Sequence, residues 1–343
     1  MRFALSPEQL DFATSVRKLL DAGRTPTAVR AWAVGDPRPG RGLIRQLAGA
    51  GVLGLAVDER NGGVGAEPID LVVAFLEIGR AAVPGPIVET AAAIPALLQA
   101  LPDGALAARW LPGFADGAAL GTVAFASPDH GAVALDADTA EVALIADGDK
   151  LYTAHRTGIV RSVDPARRLF TVAADETIAS GEQVSEAIAV AFDAGALAAA
   201  AQLLGAGRAL LDAATGYAKQ RKQFGKPIGE FQAVKQKLAD VLIGLDLAEP
   251  LLLRAALTMS ETTRGRDVSA AIVACGDAAY QAARAALQVH GAIGYTAEYD
   301  LSLWLTKVTA LRSAWGTTDM HRARIARALS ADAAGERASR GAL

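Results

Sequence analysis

The sequence predicts a mainly α-helical protein in which a small β-domain separates two helical regions. Apolar residues recur at helical spacing at both ends of the chain, whereas short apolar runs divided by turn residues fill the middle. Alanine is abundant and aromatic residues make up only 5% of the 343 residues, a composition typical of closely packed helices. We therefore predict an N-terminal helical domain over 1–110, a reduced β-domain over 111–190 and a C-terminal four-helix bundle over 191–343.

The N-terminal region opens with a helix-start signal. Ser6 is a good N-cap, Pro7 suits the first helical position, and Gln9 stands where it would complete a capping box. A turn cluster over 61–65 precedes a further helical pattern over 69–82. This region is predicted to be mostly helical.

In the middle region the apolar residues no longer recur at helical spacing and instead form short runs. Its apolar runs cover 120–126, 133–135, 141–146 and 169–173. Residues such as Asp, Gly and Ser, which favour turns, separate these runs. The pattern predicts a small antiparallel sheet.

The last region returns to helical spacing. Two long apolar stripes are followed by helical patterns over 268–290 and 297–330, which together make a four-helix bundle. Pro250 lies inside the second stripe and is expected to kink or end that helix, because its ring clashes with the preceding turn.

Composition excludes several classes of partner. The net charge of -3 offers no basic surplus for nucleic acid. The longest apolar stretches are interrupted before the roughly 18 residues that a membrane span needs, and no metal-binding motif is evident. Cys275 is the single cysteine, so no internal disulfide can form, which fits a cytoplasmic protein. We expect Cys275 to be a small buried apolar residue.

Two motifs in the last region carry a specific signal. Arg-Lys-Gln-Phe-Gly-Lys-Pro-Ile occupies 221–228 and is followed by Phe231 and Gln232; Gln-Val-His-Gly-Ala-Ile-Gly-Tyr occupies 288–295. Together with Leu-Ser-Pro-Glu-Gln over 5–9, these motifs resemble the acyl-CoA dehydrogenase family. The resemblance is good in both helical regions and poor in the middle. It implies FAD as cofactor and α,β-dehydrogenation of a CoA thioester as the reaction.

In that family, the helical-domain motifs bind the FAD of a neighbouring subunit. The resemblance assigns the adenine end of FAD to Arg221, Gln223, Phe224 and Gln232, and the diphosphate to Gln288, Gly291 and Ala292. Arginine offers a rigid fork of donors, and a glycine lets backbone N–H groups approach a phosphate. Ala292 stands where the family usually has glycine, which makes that contact less secure. His290 alone is more typical of a structural histidine.

The catalytic base of the family is missing from both of its usual positions. In most members it is a glutamate directly before a Gly-Thr pair, and here Trp315 precedes Gly316 and Thr317. Other members carry it at the position of Gly195. Indole cannot accept the α-proton, so no catalytic residue is assigned. Asp193 lies nearby, but we interpret it as a helix N-cap.

The middle region shows further losses. The family's Thr-Glu-Pro…Gly-Ser-Asp run has its nearest counterpart over 124–129, which keeps little beyond Pro128. Trp304 and Trp315 are three helical turns apart and would share a face of a continuous helix. We infer that both indoles fill space that a substrate occupies elsewhere in the family.

The missing residues are those that would serve the chain's own flavin and substrate. The residues that bind the FAD of a neighbouring subunit remain. We therefore expect a subunit of an α2β2 hetero-oligomer whose homologous partner supplies the base and most acyl-CoA contacts. The family includes such pairs in bacterial steroid degradation, which suggests a steroid side-chain CoA ester. Two alternatives stay open: a self-sufficient homo-oligomer with Asp193 or another carboxylate as base, and a non-catalytic scaffold.

Overall fold

The computed structural model describes residues 4–127, 131–296 and 299–340, with side chains described up to residue 331. Helices come first, a sheet follows, and helices close the chain. The helices are α1 (Pro7–Ala22), α2 (Thr25–Ala33), α3 (Arg38–Gly49), α4 (Pro68–Arg80), α5 (Ile94–Ala100), α6 (Ala105–Ala115), α7 (Glu182–Gln220), α8 (Gln232–Leu257), α9 (Arg264–His290), α10 (Leu301–Ala314) and α11 (Thr318–Arg340). The strands are β1 (Gly121–Phe125), β2 (Val133–Leu135), β3 (Val142–Asp147), β4 (Lys150–Val160), β5 (Leu169–Ser180), β6 (Lys222–Gln223) and β7 (Lys226–Pro227).

The start signal of α1 is confirmed. The Ser6 hydroxyl accepts from the Gln9 backbone at 3.3 Å, and the Gln9 side chain accepts from the Ser6 backbone at 3.0 Å. Two otherwise unsatisfied helix donors are thereby paired.

The five-stranded sheet has the order β1-β3-β4-β5-β2. The prediction of an antiparallel sheet is wrong at one edge, because β1 and β3 pair in parallel from Gly121 opposite Val142 onward. The remaining pairs are antiparallel. The sequence between β1 and β3 forms β2, which lies at the opposite edge, so β1 and β3 are not joined by a hairpin. Strand β4 was not predicted, because exposed residues dilute its apolar pattern.

Helix α7 is the central element of the core. It begins at Glu182, about nine residues earlier than the predicted boundary at 191. A Cβ on Gly79 would lie 2.1 Å from the carbonyl oxygen of Gln202, and one on Gly205 would lie 1.9 Å from that of Leu76. Helices α4 and α7 therefore cross with their backbones in contact, which only glycine permits.

Helix α7 is also long and apolar enough to cross a membrane, judged by length and composition alone. Since 78% of its most apolar window is buried inside the protein, it has the character of a core helix. Cys275 on α9 is likewise fully buried, as expected.

For Pro250 the structure excludes one of the two expected outcomes, and it contradicts the single helix expected over 297–330. Helix α8 continues through Pro250 to Leu257, so it does not end at the proline, whose ring is exposed. The helix predicted over 297–330 is two helices, because Trp315 leaves helical geometry and Gly316 takes a φ of 94°. That break places the side chain of Trp315 where a continuous helix would not.

Candidate functional site

The two positions at which a catalytic base was expected lie against each other. A Cβ built on Gly195 would lie 2.1 Å from Cζ3 and 2.3 Å from Cη2 of Trp315. Trp315 is itself buried, at 4% exposure. The indole therefore fills the space that any side chain at position 195 would need.

Trp315 is held in this place from several sides. Its ring meets Phe125 edge to face at 5.5 Å and Phe192 at 6.2 Å. Nε2 of His321 donates to the Trp315 carbonyl oxygen at 2.7 Å, and Nδ1 accepts from Ser269 Oγ at 3.1 Å. Burial lowers the pKa of His321 and so favours this neutral form of the imidazole.

A cleft of about 760 Å³ opens beside Trp315, between the sheet and the junction of α10 with α11. Its walls are largely apolar, and Arg161 and Arg167 add positive charge. Among the described residues that line it, Glu89 is the one carboxylate. Of the segment 124–129, the counterpart of the family's Thr-Glu-Pro…Gly-Ser-Asp run, Pro128 and Asp129 lie outside the described residues.

Glu89 was missed by sequence reasoning. It begins a short π-helical segment, Glu89–Ala93, and is 4% exposed, with no hydrogen-bond partner for Oε2 in the described part of the chain. Burial raises its pKa, and the charges of Arg167 and Lys307 act in the opposite direction. A lone glutamate within the apolar run 87–98 was the signal that could have identified it.

Asp193 is a structural anchor, and its interpretation as an N-cap is wrong. It lies eleven residues inside α7 and is fully buried. Its carboxylate accepts from Arg264 Nε at 2.9 Å and from Arg324 Nη2 at 3.1 Å. The carboxylate thus joins α7, α9 and α11, and both of its oxygens accept hydrogen bonds from guanidinium groups.

Trp304 does not share a space with Trp315. Its Nε1 donates to the Arg80 carbonyl oxygen at 2.9 Å, and its ring lines a separate depression of about 330 Å³ with Leu210 and Tyr299. The inference that both indoles fill one substrate space is therefore wrong for Trp304.

The first candidate cofactor motif forms a tight hairpin at the end of α7. Arg221 follows the helix, and β6 and β7 pair across a two-residue turn. That turn consists of Phe224 at φ 51° and Gly225 at φ 81°, both left-handed. A left-handed conformation is strained for phenylalanine, and the ring is 92% exposed. The fold therefore presents a flat aromatic ring on the surface.

The second motif begins where α9 ends. Gly291 adopts φ 68° and ψ −147°, a combination open essentially to glycine alone, and nothing lies within 4 Å of where its Cβ would be. His290 stacks on Tyr217 of α7 at 4.3 Å and contacts the Ala286 carbonyl oxygen through Nδ1 at 2.8 Å. This structural histidine links the end of α9 to the end of α7, which leads into the first motif.

All seven candidate cofactor residues lie on the surface. They comprise one guanidinium, three amides, one aromatic ring and two small residues at a helix end: Arg221, Gln223, Gln232, Gln288, Phe224, Gly291 and Ala292. These donors and the open backbone at Gly291 fit the adenine and diphosphate parts of FAD. Each remains exposed in the single chain, and together they form the candidate FAD half-site.

Two family models match most of the chain. Residues 6–118 match the model of the acyl-CoA dehydrogenase N-terminal domain, and residues 185–330 match that of the C-terminal domain. The chain belongs to the acyl-CoA dehydrogenase family. Members of this family are FAD-dependent flavoproteins that oxidise a CH–CH bond of an acyl-CoA. The unmatched residues between the two models contain the sheet, where the resemblance was also poor.

Individual relatives agree with this assignment. The chain is 32% identical over 297 residues to the acyl-CoA dehydrogenase IpdE2 of Mycobacterium tuberculosis, covering 85% of this chain and 88% of that one. Its fold is similar to that in the ChsE4–ChsE5 complex of Mycobacterium tuberculosis, with a TM-score of 0.82, 22% identity and coverage of 96% and 99%. It is also similar to the Tcur3481–Tcur3483 steroid acyl-CoA dehydrogenase G363A variant, with a TM-score of 0.82, 23% identity and coverage of 95% and 99%.

Proposed function

We propose that this chain is a subunit of an FAD-dependent acyl-CoA dehydrogenase, completing the FAD site of a homologous catalytic partner in an α2β2 assembly. The observation that carries the proposal is the packing of Trp315 on Gly195. It leaves no side chain able to accept a proton at either of the family's base positions, while the candidate FAD-binding residues remain exposed.

In this proposal the two subunits have different roles in the reaction. Bound FAD would supply the acceptor for the hydride that leaves Cβ of the thioester, and a carboxylate of the partner would remove the α-proton. This chain contributes binding and orientation. Arg221 and the amides hold the nucleotide end, Phe224 offers a stacking face, and Gly291 permits close backbone approach.

An exposed apolar stripe supports a protein partner. Ile243, Leu247 and Leu251 follow one another at four-residue spacing on α8, with exposures of 56%, 70% and 39%. Residues at this spacing share one helix face, and contiguous exposed apolar surface is typical of an interface. The two similar structures reported above are named as two-component assemblies, which is consistent with such a partner.

A steroid side-chain CoA ester is the substrate class we propose for the complex. Support comes from the similar structure that is named a steroid acyl-CoA dehydrogenase. Turnover of a steroid-CoA ester at least tenfold faster than that of a straight-chain acyl-CoA would agree with this class; the reverse preference would reject it.

Co-expression tests the shared site. The chain alone should bind little FAD, whereas the complex with a glutamate-containing homologue encoded nearby should be yellow and active. Arg221→Ala with Phe224→Ala should weaken FAD binding by the complex, and Lys219→Ala, an exposed change on the preceding helix α7, should not. Full flavin loading and turnover by the isolated chain would reject the proposal. FAD binding and activity that the paired change leaves unaltered would favour the scaffold role.

One observation favours a second candidate, a self-sufficient homo-oligomer. Glu89 lines the same cleft as Trp315, has an unpartnered carboxyl oxygen and has a raised pKa. These properties suit a general base. If the isolated chain proves active, Glu89→Gln should abolish turnover while FAD content is retained. Unchanged turnover in that variant would exclude Glu89 as the base.

A further inference from the structure

A polar groove of about 770 Å³ lies between α8 and α9 and contains Gln288. One face of α8 supplies Lys237, Asp240 and Val241, and one face of α9 supplies Gln281 and Arg284 along with Gln288. The residues from each helix are three or four positions apart, so they point the same way. Neighbouring helices of a bundle normally pack apolar surfaces together, so a polar groove of this size suggests a ligand or partner.

Two cations of the groove, Lys237 and Arg284, have no ion-pair partner among the described residues, and Asp240 is the one carboxylate among the described residues of its lining. In the described part of the chain, neither Lys237 nor Arg284 forms an ion pair, although Arg284 lies 6.0 Å from the centre of the Tyr280 ring. Many other arginines of this protein are paired, for example Arg208 with Glu249 and Arg312 with Asp277. Arg284 and Lys237 are therefore available to an external anion.

The candidate FAD half-site has no charged residue among those assigned to the diphosphate. The residues assigned to the diphosphate, Gln288, Gly291 and Ala292, are all neutral, and Arg221 is assigned to the adenine end. Ala292 also offers less room than a glycine would. Arg284 precedes Gln288 by one helical turn on the same face of α9, so a guanidinium lies next to the amide.

We propose that Lys237 and Arg284 form a cationic clamp for the FAD diphosphate, extending the half-site from Gln288 into this groove. The inference rests on the proposed function. Arg284 would donate through its fork of N–H groups, and Lys237 would act as a point charge. The clamp compensates for the neutral residues at the end of α9.

The test measures FAD affinity in the co-expressed complex, after removal of flavin and titration with free FAD by flavin fluorescence. Lys237→Gln and Arg284→Gln should each raise the Kd for FAD about tenfold or more, as expected for loss of one charge-assisted hydrogen bond. Arg284→Lys should recover part of the loss. The differences should shrink when NaCl is raised from about 0.05 M to about 0.5 M, because salt screens exposed charges.

Lys235→Gln and Arg327→Gln are matched controls that remove the same charge at exposed positions outside the groove. The clamp is refuted if Lys237→Gln and Arg284→Gln leave FAD affinity within twofold of these controls while Arg221→Ala weakens it. It is also refuted if they weaken assembly of the complex instead, since the groove would then hold an acidic segment of the partner. Failure of Arg221→Ala itself would count against the proposed function.

Discussion

The stability of Gly195→Ala tests whether Trp315 fills the space beside position 195, where some family members carry the catalytic base. In an open helix interior this change should stabilise the fold by about 1 kcal/mol, because alanine is the better helix former. Here the new Cβ would lie 2.1 Å from Cζ3 of Trp315, against an ordinary carbon contact of about 3.5–4.0 Å. The indole would have to retreat by roughly 1.5 Å. Since His321 and Phe192 hold it, we expect a net loss of about 1–3 kcal/mol.

Urea unfolding of the purified chain measures this difference. Gly216→Ala is the matched control on the same helix, because nothing lies within 4 Å of its Cβ position, and it should stabilise by about 1 kcal/mol. In a Trp315→Ala background, which itself should cost about 3–5 kcal/mol, Gly195→Ala should become stabilising. If Gly195→Ala stabilises the parent chain as much as Gly216→Ala does, Trp315 does not fill the space beside position 195, and a side chain could be accommodated there.

Three further changes test other features. Asp193→Asn should cost about 3–5 kcal/mol in urea unfolding, because it leaves Arg264 and Arg324 facing a neutral amide; a loss no larger than that from the exposed Asp11→Asn would contradict the anchor role. Burial raises the pKa of Asp136 from 3.8 to about 7, so its contribution favours the folded state most below pH 4 and is lost as the pH rises through 7. Asp136→Asn keeps an acceptor for Trp32 Nε1, at 2.8 Å in the parent. It should raise the free energy of unfolding at pH 8 by at most about 4 kcal/mol, at about 1.36 kcal/mol per unit of pKa, and so raise Tm at pH 8 but not at pH 4; equal effects at both pH values would refute this. Phe224→Asn should stabilise the isolated chain by up to about 1 kcal/mol, because asparagine tolerates the left-handed conformation, while weakening FAD binding by the complex; unaltered FAD affinity would show that the ring does not contact the cofactor.

Local signals gave the order of the elements and the candidate cofactor residues. Capping at Ser6 and apolar periodicity act over a few residues, so they can be recognised in the sequence. The tight turn at Phe224 and Gly225 and the helix end at Gly291 are also short-range features, and both lie within the motifs that indicated the family. The seven assigned cofactor residues remain a prediction until FAD binding is measured.

Long-range packing decided the rest. Position 195 and Trp315 are 120 residues apart, and no local pattern shows that one fills the space of the other. The same is true of Asp193, whose role depends on arginines from two later helices. Glu89 and the Lys237–Arg284 pair have no motif; Glu89 is notable for a buried carboxyl oxygen without a partner among the described residues, and the pair for two cationic side chains that line one groove. The sequence by itself determined the order of helices and strands and the residues that stand at the family's two base positions. Both can be recognised from short segments of the chain. Which side chains meet, and which remain exposed for a partner, was decided only by the tertiary structure, because such contacts join residues far apart in sequence.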